Sequence, residues 1–125
     1  MRLLVDTHVL LWALGDPDRL APRARKELVS RRNQVLASAV SGWEMEIKRA
    51  LGKLTTPDDL EGELRRAGFT ELPVRLAHVR ALRSLPRLHR DPFDRLLVAQ
   101  AVADDLTLVT HDDALEAYPV RTLWA

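Results

Sequence analysis

The stretch His89–Asp112, HRDPFDRLLVAQAVADDLTLVTHD, constrains the fold more than any other part of the chain. It opens with Asp91 as a candidate N-cap, Pro92 as the first helical residue and Asp94 in the first turn. The helix this predicts runs to about Ala103, and from Leu96 onward Gln100 is its only polar residue. A surface helix shows one apolar stripe, whereas a helix apolar on nearly every side belongs in an interior. Leu106–Thr110 then reads as a β-strand, and Asp112 follows it. Asp94 thus begins a buried helix and Asp112 follows a core strand. Carboxylates placed so close to a core need something to compensate their charge.

The rest of the chain supports this unit. Arg2–Val5 reads as a buried strand ended by Asp6 and Thr7, and a helix from about His8 to Leu14 closes at Gly15. Pro22 opens a helix through Arg32, and Gln34–Ala37 reads as a strand. Ser38 or Ser41 caps a helix that ends near Leu51. A further helix starts at Thr56-Pro57-Asp58 and stops at Gly68. Phe69–Val74 reads as a strand, Leu76–Leu85 as a helix, Ala114–Tyr118 as one helical turn and Val120–Trp124 as a last strand. Strands alternating with helices predict an α/β fold with a mainly parallel sheet of about five strands. No repeat, linker or boundary interrupts the 125 residues, so residues 1–125 read as one domain.

Composition excludes several classes. Hydrophobic residues at 46% and charged residues at 30% describe a globular chain rather than a disordered one. Without cysteine there are no disulfides and no thiolate metal sites. A formal net charge of +1 gives no global attraction to nucleic acid, so any such binding must come from local clusters. Met1–Leu14 is apolar but is interrupted by Asp6 and His8, and no run approaches membrane-spanning length. The protein therefore reads as cytoplasmic, with no membrane partner.

In an open parallel sheet, ligands bind at the C-terminal ends of the strands. Asp6 ends the first strand and Asp112 follows the fourth, so neighbouring strands would put both on one rim. Either acid could equally cap the helix after it. Glu44 falls in the apolar stripe Val40, Trp43, Ile47, Ala50 and Leu51, while Met45 points nearly opposite. The alternative for Glu44 is a local ion pair with Lys48 at i+4. Asp94 could serve the helix dipole alone. Together, such acids would repel, and a hard divalent cation is the usual compensation. Oxygen-only ligands point to Mg²⁺ or Mn²⁺ rather than Zn²⁺. His8, His89 and His111 flank the acids as candidate substrate contacts, and His78 reads as a helix-surface residue. Leu10, Leu11, Trp12 and Leu14 exceed what one face of a short helix needs, which predicts self-association and a helical or disordered peptide partner.

The spaced acids Asp6, Glu44, Asp94 and Asp112 resemble the four-carboxylate set of PIN-domain nucleases. The segments LLVDTHVLLWAL, SAVSGWEMEIKRALGKL, HRDPFDRLLVAQA and LTLVTHD, with the closing YPVRTLW, are closer still to VapC-type toxins of bacterial type II toxin–antitoxin pairs. The resemblance spans essentially the whole chain. It implies a three-layer α/β/α sandwich and Mg²⁺- or Mn²⁺-dependent ribonuclease activity, with metal-activated water cleaving RNA phosphodiester bonds. A cognate antitoxin and a homodimer are implied as well. By motif position Asp6, Glu44, Asp94 and Asp112 are both the catalytic and the metal-binding residues. Asp6 and Asp94 touch the metal first, and Thr7 and Thr110 are supporting hydroxyls. Arg90 and Arg95 are placed to hold the RNA backbone, or alternatively to pair with Asp91 or Asp94. Asp91 lies outside the core set. A phosphoacceptor regulator would need a lysine after the last strand, which is missing here. The remaining rival is a catalytically silent PIN-like binding module acting through a protein partner.

Overall fold

All five expected strands join one parallel sheet in a computed structural model that describes residues 1–125. In chain order the elements are β1 (Arg2–Val5), α1 (Thr7–Gly15), α2 (Pro22–Val29), β2 (Gln34–Ser38), α3 (Ala39–Ala50), α4 (Leu60–Ala67), β3 (Thr70–Leu72), α5 (Leu76–Ala81), α6 (Pro92–Ala103), β4 (Thr107–Thr110) and β5 (Thr122–Trp124). Short 3₁₀ turns occupy Pro17–Arg19, Leu82–Ser84 and Asp113–Ala117. The sheet order is β3-β2-β1-β4-β5, with every pairing parallel. No helix is long and apolar enough to cross a membrane.

The alternation along β1 sorts the core into two layers. Leu3 and Val5 pack with Val9 and Leu10 of α1, Ala24 and Leu28 of α2 and Leu64 of α4. Leu4 faces the other way, against Leu97, Val98 and Ala101 of α6. Helices thus cover both faces, giving the three-layer sandwich. Gly68 stops α4 in the left-handed region at φ 76°, where a side chain would be strained, and Phe69 N–H reaches back to the Leu64 carbonyl.

β1 lies at the centre, and the chain runs outward from it through β2 and β3, then crosses to its other side for β4 and β5. The carboxyl ends of β1 and β4 therefore flank a topological switch point. Backbone hydrogen bonding seals that edge, with Asp6 N–H donating to the Val109 carbonyl at 3.0 Å.

Three expectations need correction. On α3 the buried residues are Val40, Ser41, Glu44 and Met45, whereas Trp43, Ile47 and Leu51 are exposed at 58%, 37% and 62%. Apart from Val40 the apolar stripe points outward, and Met45 points in. Because α3 begins one residue after β2 ends, its rotation follows the strand and the Ser38 cap, whose Oγ accepts from Val40 N–H at 3.0 Å. Counting apolar residues per face could not supply that rotation. His78 is buried rather than on the surface, because α5 packs against α6 and its Nε2 meets Asp104 Oδ2 at 3.0 Å. Leu10 is fully buried, and Leu11, Trp12 and Leu14 pack partly against the core, so α1 presents no broad free apolar face.

Candidate active site

Asp6 is the best-fixed acid. It caps α1, accepting from Val9 N–H at 2.8 Å through Oδ1, while Oδ2 accepts from Thr110 Oγ1 at 2.6 Å. Capping and a place on the site rim are therefore compatible, because the two oxygens do different things. Burial holds the Asp6 carboxyl above its ordinary range, and the Thr110 and Val9 hydrogen bonds oppose that rise. Thr110 Oγ1 also accepts from Asp112 N–H at 3.0 Å, so one hydroxyl ties together the acids after β1 and β4.

Asp112 repeats the division of labour. Its Oδ1 caps the following 3₁₀ turn by accepting from Ala114 N–H, and its Oδ2 meets His89 Nε2 at 3.0 Å. Glu44, buried at 2% exposure, accepts from Thr7 Oγ1 at 2.7 Å on one oxygen and from Lys48 Nζ at 2.5 Å on the other. The local ion pair with Lys48 does form, and it does so inside the site. The Glu44 hydrogen bond raises the Lys48 pKa most, and Asp91 and Asp94 raise it further.

Asp94 carries the strongest electrostatic signal. Burial first, then the charges of Asp91, Asp6 and Glu44, push its carboxyl up to about 7, against the opposing pull of His89. Acids from β1, α3 and α6 therefore converge on one rim. Asp91 caps α6, accepting from Phe93 and Asp94 N–H at 2.8 and 3.3 Å.

His89, Asp94 and Asp112 each offer a donor atom within 4.8 Å of the others. The histidine is nonetheless a poor metal ligand in this arrangement. Its Nδ1 accepts from Asp91 N–H at 3.0 Å, so the ring hydrogen of the neutral form sits on Nε2. That Nε2–H points at Asp112 Oδ2 and lies 3.5 Å from Asp94 Oδ2. His89 thus donates between two carboxylates, where a cation would otherwise compensate them. Asp94 and Asp112 are the acids whose oxygens lie within 4.8 Å of one another, the charges of Asp6 and Glu44 act on Asp94 from beside them, and a metal on this rim would draw on oxygen donors.

The two candidate arginines part company. Arg95 donates to the Pro86 carbonyl at 3.0 Å and to Tyr118 Oη at 3.4 Å, binding the preceding loop to the core. Arg90 is exposed and pairs with neither Asp91 nor Asp94. Sequence reasoning missed Ser41, whose hydroxyl lies 3.0 Å from Thr7 Oγ1 and donates to it while Thr7 donates to Glu44, and it left Lys48 outside the site. The i,i+4 spacing to Glu44 was the available signal for Lys48; nothing local singled out Ser41.

The chain matches the family model described as the PIN domain over residues 3–120. It is 29% identical over 133 residues to Ribonuclease VapC22 of Mycobacterium tuberculosis, covering 98% of both chains. Among solved structures, VapBC2 from Rickettsia felis bound to a DNA fragment from their promoter shares the fold with a TM-score of 0.74. The identity there is 16%, over 100% of this chain and 99% of that one. VapBC-5 of Mycobacterium tuberculosis, a member of the VapBC family of toxin–antitoxin systems, aligns with a TM-score of 0.56 at 17% identity, covering 98% of this chain and 96% of that one.

Proposed function

The chain belongs to the PIN-domain family, and from that premise we propose that it is a Mg²⁺- or Mn²⁺-dependent endoribonuclease, the toxin of a toxin–antitoxin pair. The observation that carries this reading is Asp94. A carboxyl pushed to about 7 by burial and three neighbouring acids marks a rim built to receive positive charge. Asp6, Glu44, Asp94 and Asp112 would hold the ion. When bound, a divalent ion polarises the phosphodiester and lowers the pKa of a bound water.

The chain's own residues prepare that site. Thr110 orients Asp6 and, through Asp112 N–H, the start of the last turn. Thr7 and Lys48 fix both oxygens of Glu44. His89 keeps Asp112 and Asp94 facing each other. Arg90, exposed and free of ion pairs with these acids, is placed to hold the RNA backbone.

A protein antitoxin is the proposed partner, supported by the toxin–antitoxin assemblies that share this fold. An apolar cleft of about 300 Å³ between α1, α2 and the start of β3, lined by residues including Leu20, Leu28, Val29 and Phe69, offers seating for apolar side chains. A homodimer would cover the outward stripe Trp43, Ile47 and Leu51. The deciding experiment incubates the purified chain with single-stranded and structured RNA in Mg²⁺, Mn²⁺ or EDTA. Cleavage confined to the metal arms supports the reading. An inert chain that still captures a protein partner would make it a silent binding module.

A further inference from the structure

A second cleft opens beside the acids, about 300 Å³ in volume and lined by Asp6, His8, Trp12, His111, Asp112 and Asp113. Its size suits one nucleobase rather than a chain segment. The rings on its wall are His8 and Trp12 of α1 and His111 after β4, and Trp124 of β5 backs His111 from outside the cleft. The Trp12 indole meets the His111 edge at 5.0 Å between centroids and 72° between planes. The His111 ring in turn lies 4.6 Å from Trp124, tilted by 33°. His8 stands 6.5 Å from Trp12 on its other side, and the Arg19 guanidinium lies 4.9 Å from the Trp12 ring centre. His111 and Trp124 are exposed, and Trp12 is only partly covered. Neither the sheet core nor the carboxylate site accounts for such a row of rings.

The polar edge of this cleft is rich in acceptors. His111 Nδ1 lies 3.1 Å from the Ala125 carbonyl oxygen, an atom that can only accept. The ring hydrogen is therefore on Nδ1, which leaves Nε2 of the neutral ring as an acceptor with no partner in the protein. Asp113 adds an exposed carboxylate on the same cleft. Acceptors suit a base edge that carries an amino group. Uracil can donate only its N3–H, which is flanked by two carbonyls, so the second of the two acceptors on this edge would face an oxygen.

We propose that Trp12 and His111, with Trp124 backing the His111 ring, form a base-stacking subsite for one unpaired nucleobase bearing an exocyclic amine, next to the phosphate bound at the acids. The subsite shares Asp6 and Asp112 with the carboxylate rim, and the placement of the phosphate rests on the ribonuclease reading. Aromatic stacking holds any base, and the His111 acceptor sorts among them.

The test uses nucleosides, which carry no phosphate and cannot be cleaved, added to the full chain in EDTA. Three indole N–H signals are followed by NMR, with Trp43 of α3, which packs on Phe93 and does not line this cleft, as the internal control. Cytidine should move Trp12 and Trp124 and leave Trp43 in place, and uridine should bind about fivefold more weakly, the worth of one ordinary hydrogen bond. Trp12→Ala should weaken both nucleosides about tenfold through lost stacking, and Trp124→Ala should weaken them less, because that ring only backs His111. His111→Phe keeps the ring without the acceptor, and should bind cytidine and uridine alike. Equal movement of all three indoles, or equal binding of both nucleosides by the parent, would overturn the subsite. So would silence toward both nucleosides in a chain that still cleaves RNA, leaving the rings to a protein partner. Cytidine binding by a chain that cleaves nothing would instead keep the subsite and remove the ribonuclease reading.

Discussion

Two polar clusters lie along the same carboxyl edge of the sheet, one after β2 and one after β1 and β4, and they differ in how their donors and acceptors balance. In the first, Ser38 Oγ donates to Gln100 Oε1 at 2.5 Å, and Gln100 Nε2 donates to the Pro73 carbonyl at 3.3 Å. His78 Nδ1 accepts from Arg75 N–H, and its Nε2–H donates to Asp104. Neutral groups meet neutral groups there, with one carboxylate at the margin. Such a network fixes a fold and needs nothing else. In the second, Asp6, Glu44, Asp91, Asp94 and Asp112 share one lysine, one histidine, two threonine hydroxyls and a few backbone N–H groups. Acceptors outnumber donors, and burial together with the charges of Asp91, Asp6 and Glu44 lifts Asp94 to about 7. A cluster short of positive charge is unfinished without a ligand.

The largest expected effect tests this difference through pH. Asp94 has a folded-state pKa raised from 3.8 to about 7. Its neutral form is favoured by folding, so the contribution is fully present below about pH 4 and is lost as pH rises through 7. In EDTA, the stability advantage of Asp94→Asn over the parent should grow between pH 4 and 8, by at most about 4 kcal/mol. Denaturant unfolding at a series of pH values measures it. A flat difference would mean that the acids are not crowded.

Cleavage comes next. Asp94→Asn should lower the rate by more than about 100-fold, beyond the 10–100-fold typical of residues that only support a metal ligand. Its metal-free stability at pH 8 should be no lower than the parent's. Near-parental cleavage would reduce Asp94 to a first-turn acid serving the helix dipole.

The opposite pattern is expected in the balanced cluster. Gln100→Leu leaves the Ser38 hydroxyl and Pro73 carbonyl without their partner, and should cost about 1–3 kcal/mol at every pH. Cleavage per folded molecule should be unchanged, and Mg²⁺ should raise the melting temperature as much as in the parent. A selective loss of metal response would erase the distinction between the clusters.

The smallest effect is expected at Asp91. Asn caps a helix about as well as Asp, so Asp91→Asn should change stability by no more than about 0.5 kcal/mol, with little change in cleavage. Removing its charge should still lower the pH at which Asp94 titrates, which carboxyl NMR can follow.

Local signals in the sequence determined much of this. Pro92 behind Asp91, Gly68 after α4 and the Asp6-Thr7 stop after β1 set element ends through neighbours a few residues away. The apolar run of α6 determined that it would be buried. The order of strands and helices determined the sheet, and hence that Asp6 and Asp112 would follow strand ends. Tertiary structure decided which way α3 turns: Glu44 is buried beside Thr7 and Ser41, while the stripe expected to bury it faces out. It also decided that Arg95 serves the Pro86 loop, that His78 lies inside, and that His89 carries its hydrogen on Nε2. Periodicity fixes which residues share a face, but the rotation of that face and the tautomer of a ring depend on atoms far away in the chain.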